Sequence, residues 1–148
     1  MYKIMLALHI VFAIFAIGPL VHAATTAGRG VRTGNADGVA SSIRALRYYS
    51  IASVGVVIFG FGLMSADAPW GGKTGEFSQT YIWLSLILWV AAVGVVHALL
   101  IPALTNVADK IKAQDSVVTL TARVASIGGV VGLIFVAIVF LMVYKPGT

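Results

Sequence analysis

The chain has 148 residues, of which 59% are hydrophobic and only 10% charged, with a formal net charge of +5. A soluble domain carries about 25% charged residues, so a water-soluble globule is excluded and the apolar excess must face lipid. The absence of cysteine excludes disulfides, thiolate metal sites and thiol catalysis.

A helix needs roughly 20 apolar residues to cross the hydrocarbon core of a bilayer. The first stretch that qualifies is residues 4–24, inside "KIMLALHIVFAIFAIGPLVHAATT". One lysine, an apolar run and Val21-His22-Ala23 also fit a cleaved secretory signal. The run is longer than the about 7–15 residues of a signal core, and Arg29, Arg32, Arg44 and Arg47 follow it. Arginines there oppose translocation of the segment, so the stretch reads as an uncleaved first transmembrane helix. "TTAGRGVRTGNADGVASSIRALR" then reads as the longest connection. Asp37 or Ser41 is expected to cap a helix that runs into the second span, residues 48–65.

"SADAPWGGKTGEFSQTYIW" is a turn region punctuated by Pro69, Gly71, Gly72 and Gly75. Its Trp70, Phe77, Tyr81 and Trp83 suit an interfacial aromatic belt. The third span is residues 81–103. "TNVADKIKAQDS" extends that helix to a turn near Asp115–Ser116, and the fourth span is residues 124–144. No span carries an acid, lysine or arginine in its central part. Seven basic residues (Arg29, Arg32, Arg44, Arg47, Lys110, Lys112, Arg123) lie in the first and third connections, against three elsewhere (Lys3, Lys73, Lys145). The positive-inside rule puts those two connections in the cytoplasm and both termini outside. Up-down order with short connections predicts an all-α protein, a four-transmembrane-helix bundle formed by a single domain over residues 1–148.

Small residues allow membrane helices to approach closely. Gly128 and Gly132 form a GxxxG in the fourth span, the second has Gly55, Gly60 and Gly62, and the third has Ala91, Gly94 and Ala98. These faces serve packing inside the bundle or a partner subunit. Pro19 and Pro102 each remove a backbone donor and should loosen a helix near its basic end. Arg44 and Arg47, beside Tyr48 and Tyr49, are expected to reach anionic lipid headgroups, or a protein partner.

Histidines are the only candidates for site chemistry within the spans: His9, His22 and His97. An ionisable residue inside a membrane is a functional candidate by default. His9 and His22 are thirteen residues apart, roughly 20 Å along a helix, and cannot serve one metal ion. His22 and His97 come from spans that place them at similar depth, where two imidazoles could hold a heme iron. The bland alternative is a neutral histidine bonded to a carbonyl or a hydroxyl. All five acids lie in connections or at span ends, so no buried carboxylate relay exists, and Ser50, Ser53, Ser85 and Ser126 have no acid nearby. The four methionines, Met1, Met5, Met64 and Met142, form no strip.

Leu6-Ala7-Leu8-His9, then His22, then Val95-Val96-His97, in that order along four spans, resembles the membrane protoporphyrinogen oxidase family. That resemblance implies heme b held by these histidines and an oxidoreductase activity. The sequence departs from the family in two places: Trp83 to Trp89 holds no basic residue where the family has a lysine, and Lys3 is displaced from its motif. The length, Ala/Val/Gly-rich spans and lack of buried acids also resemble a small bacterial four-span family and the accessory subunits of the actinobacterial cytochrome bcc–cytochrome c oxidase supercomplex. This second resemblance implies a non-catalytic accessory or assembly subunit of a respiratory complex. Its partners would be larger membrane subunits and lipids, with no nucleic acid and no cofactor of its own.

Overall fold

The computed structural model describes residues 1–148. It contains four helices long and apolar enough to cross a membrane: α1 (Tyr2–Arg32), α2 (Ala36–Ser65), α3 (Thr80–Lys112) and α4 (Val118–Tyr144). There is no β-strand, only one isolated antiparallel bridge, Asp67 to Lys73. At 31 residues, α1 is about 46 Å long, well beyond a hydrocarbon core of about 30 Å. The helices therefore extend past the predicted spans, mostly at the end that carries the two basic connections. We call this the basic end and the opposite one, which holds both termini, the terminal end.

The first connection is far shorter than the sequence suggested. Only Thr33, Gly34 and Asn35 join α1 to α2. Gly34 has φ +62°, Asn35 N–H bonds the Gly30 carbonyl at 3.0 Å, and Gly34 N–H bonds the Val31 carbonyl at 3.2 Å. This crossed pair satisfies the last carbonyls of α1. Asn35, not Asp37 or Ser41, caps α2: its side-chain oxygen accepts from Gly38 N–H at 3.0 Å. The chain reverses in the two residues where a helix-ending glycine meets a helix-starting asparagine. The same crossed pair closes α3, with Gln114 at φ +59° and Asp115 N–H on the Lys110 carbonyl at 2.9 Å. The turn near Asp115–Ser116 is thus observed.

Two helices contain a widened turn, at Ala13–Ile17 in α1 and at Val96–Leu100 in α3. Pro19 and Pro102 each follow two residues after such a turn. A proline ring collides with the carbonyl four residues before it, here Phe15 and Ala98. Stretching the local bonding to five residues moves that carbonyl aside.

Helix α1 packs on α2 and α4, and α3 packs on α2 and α4, so α1 and α3 are diagonal. The core is one cluster in the basic-end half, built from Leu20, Ala24 and Val31 of α1, Val39 and Leu46 of α2, Val96, Leu100 and Leu104 of α3, and Val124 and Val131 of α4. Towards the terminal end the packing is within hairpins, α1 on α2 and α3 on α4. No residue of Tyr2–Phe12 is buried. The connection after α2 folds over this end: Tyr2 meets Trp70 edge-on at 5.5 Å, and Phe77 lies 5.5 Å from Phe61 and 6.4 Å from Trp83. Trp70, Phe77 and Trp83 are exposed, whereas Tyr81 is buried beneath Gly75 and is no part of an aromatic surface.

Candidate functional site

His9, His97 and Trp89 converge on one short stretch of α2. Ser50 and Ser53 are buried where α2 tightens: Val56 N–H bonds the Ser53 carbonyl three residues back at 3.0 Å. Ser53 donates its hydroxyl to the Ser50 carbonyl at 2.6 Å and accepts from the Trp89 indole N–H at 3.0 Å. Ser50 donates to the Arg47 carbonyl at 3.0 Å. A hydroxyl has one proton, so Ser50 Oγ accepts from His97 Nε2–H at 2.8 Å. On the other side of α2, His9 Nδ1–H donates to the Val56 carbonyl at 2.8 Å. Gly60 makes room for that ring, since a Cβ there would lie 3.3 Å from His9.

Side chains from α1 and α3 are thus tied to residues 50–56 of α2. In hydrocarbon, each of these groups would be costly without a partner. In this arrangement His9 carries a proton on Nδ1 and His97 carries one on Nε2. His97 is an exposed residue of α3, and its Nδ1 has no hydrogen-bond partner. Ser85 is the one buried side-chain oxygen without a partner.

His22 lies on the exposed face of α1. Its ring makes no hydrogen bond; its carbonyl accepts from Thr26 at 2.6 Å. Because α1 and α3 are diagonal and His97 turns to α2, His22 and His97 are not brought together. A bis-imidazole iron site needs both rings on opposite faces of one macrocycle, and the pair does not fit that within a single chain. The chain holds no group of three His, Cys, Asp or Glu residues arranged for a metal ion.

The predicted glycine faces meet neighbours of the same chain. A Cβ at Gly128 would overlap the Ala24 carbonyl of α1, and one at Gly132 would lie 3.2 Å from Thr25 Cγ2. A Cβ at Gly55 would overlap the Phe12 ring. Gly94 differs: its added Cβ meets nothing within 4 Å, and Ala91, Gly94 and Ala98 are all exposed along α3. Arg44 and Arg47 are exposed in the first half of α2, beside the edge-on pair Tyr48 and Tyr49.

Sequence reasoning missed Ser50, Ser53 and Trp89 as partners. The available signal was the need of every intramembrane polar group for a second one. No protein-family model matches the chain, and no curated protein or solved structure matches it either.

Proposed function

We propose that the chain is a non-catalytic accessory or assembly subunit of a larger membrane complex, docked through the outward face of α3. The observation that carries this reading is the division of its small residues. Gly55, Gly60, Gly128 and Gly132 are covered by α1, whereas Ala91, Gly94 and Ala98 face outward with open space over Gly94. Small residues on a membrane helix serve the close approach of another backbone, and within this chain nothing approaches Gly94. The free Nδ1 of His97 lies on the same helix, between Gly94 and Ala98, available to a donor on a partner helix. The resemblance to respiratory accessory subunits makes a cytochrome c oxidase, or its supercomplex, the first partner to test. In this reading the basic end faces the cytoplasm of a bacterial plasma membrane.

The test is purification of the tagged chain from its own host membranes in mild detergent, followed by a native gel. The wild type is expected in a large complex. The double variant Gly94→Leu/Ala98→Leu, exposed on both counts, is expected to migrate alone with unchanged helicity. Undiminished co-migration of that variant would sink the proposed face.

A second reading, a heme-binding oxidoreductase, has the free His97 Nδ1 in its favour. His22 cannot complete that site in the same chain, so the second ligand would come from another molecule. An absorption spectrum of the protein purified alone separates the two readings: a stoichiometric Soret band overturns the cofactor-free subunit.

A further inference from the structure

A cleft of about 230 Å³ opens between α3 and α4 near the basic end. Leu99, Pro102, Ala103 and Leu120 form its apolar part, with Ala98 of the outward α3 face at its edge, and Asn106 and Arg123 are its polar lining. Arg123 has no ion-pair or hydrogen-bond partner in the chain, and it is exposed. Asn106 is exposed as well, with an unused side-chain amide.

Depth identifies the ligand class. From Tyr144 to Arg123 is 21 residues of continuous helix, about 32 Å along the axis, which matches a hydrocarbon core of about 30 Å. With Tyr144 at one interface, Arg123 stands at the other. Asn106 lies one turn beyond Pro102, towards the headgroup layer. The apolar part, led by the half-exposed Leu99, continues from there into the hydrocarbon. An unpaired guanidinium and an amide at headgroup level, above an apolar trough, match the two halves of a phospholipid: phosphate and upper acyl chain. The arginine is the group suited to bind phosphate oxygens in pairs.

We infer that this cleft is a binding site for one anionic phospholipid, with Arg123 and Asn106 on the headgroup and the Leu99–Pro102–Ala103 trough along the acyl chain. Four-helix packing is already complete on the other side of α3 and α4, so the lipid is a ligand of the fold and not a part of its core.

The test is native mass spectrometry of the full chain in detergent, supplied with equal phosphatidylglycerol and phosphatidylcholine. The wild type is expected to retain one phosphatidylglycerol in preference. Arg123→Gln is expected to lose that preference, while Arg32→Gln, well beyond the hydrocarbon boundary, keeps it. Leu99→Trp fills the trough without changing charge and is expected to lose the adduct too. All three positions are exposed, and circular dichroism verifies folding. Equal retention of both lipids by the wild type, or undiminished phosphatidylglycerol in Arg123→Gln, would overturn the assignment.

Discussion

Replacing the glycines of the bundle one at a time by alanine tests the packing of α1 against α4 most directly. At Gly128 the added methyl would run into the Ala24 carbonyl, with the Ala24 carbonyl carbon at 2.9 Å. The obstacle is backbone, so it cannot rotate away and the helices must separate. Overpacking of this kind costs about 1–3 kcal/mol, and alanine returns about 1 kcal/mol of helix propensity over glycine. The net expectation is a loss of up to about 2 kcal/mol, near that upper figure because the contact is rigid. At Gly132 the methyl meets a Thr25 methyl at 3.2 Å, which can yield, so the loss is smaller. At Gly28 the methyl would make ordinary contact with Ala125 at 3.6 Å, and at Gly94 it meets nothing. Neither should lower stability. The assay is unfolding in mixed detergent micelles followed by circular dichroism, with the order of midpoints as the readout. If Gly128→Ala unfolds with Gly94→Ala, α1 and α4 do not touch there and the bundle arrangement is refuted.

Two further outcomes follow from polar and turn geometry. A double-mutant cycle on Trp89→Phe and Ser53→Ala should give a coupling of about 0.6 kcal/mol, and below about 1.7 kcal/mol; zero coupling in the same unfolding assay would remove the α2–α3 stitch. At the helix ends, Gly34→Ala should cost about 1–2 kcal/mol because φ is +62° there. Gln114→Gly, at φ +59°, should change stability in the opposite direction by about 1 kcal/mol, and matching signs for the two would show that the left-handed positions are misassigned.

The four apolar segments were legible because length and continuity decide them, and a bilayer leaves the backbone no other answer. The ends of the helices were less so. Composition marks where hydrocarbon stops, but Thr25 to Arg32 and Arg44 to Arg47 are polar and still helical, so α1 and α2 run on to meet at Gly34–Asn35. The pattern of αL glycine followed by a capping asparagine was present in "TGNADG" and was outweighed by the later Asp and Ser. The positions of the histidines along their helices were readable from residue counts. Their directions were not, because each widened turn rotates everything beyond it and is placed by a proline whose effect on the helix has several solutions. His97 therefore meets Ser50, a residue whose lack of a nearby acid had removed it from consideration as a nucleophile.

The division into hairpins has a consequence for the integrity of the chain. Each hairpin is a proline-bearing helix with one widened turn that a short turn joins to a second helix, and the two meet through the basic-end core and the polar ties to α2. The link between them, residues 66–79, crosses the opposite end and adds no residue to the main core cluster. Covalent continuity is thus dispensable to assembly in a membrane, where helices insert first and associate afterwards. Two polypeptides cut between Gly71 and Gly72, both at positive φ, should find each other when made together, as separate halves of one recognisable object.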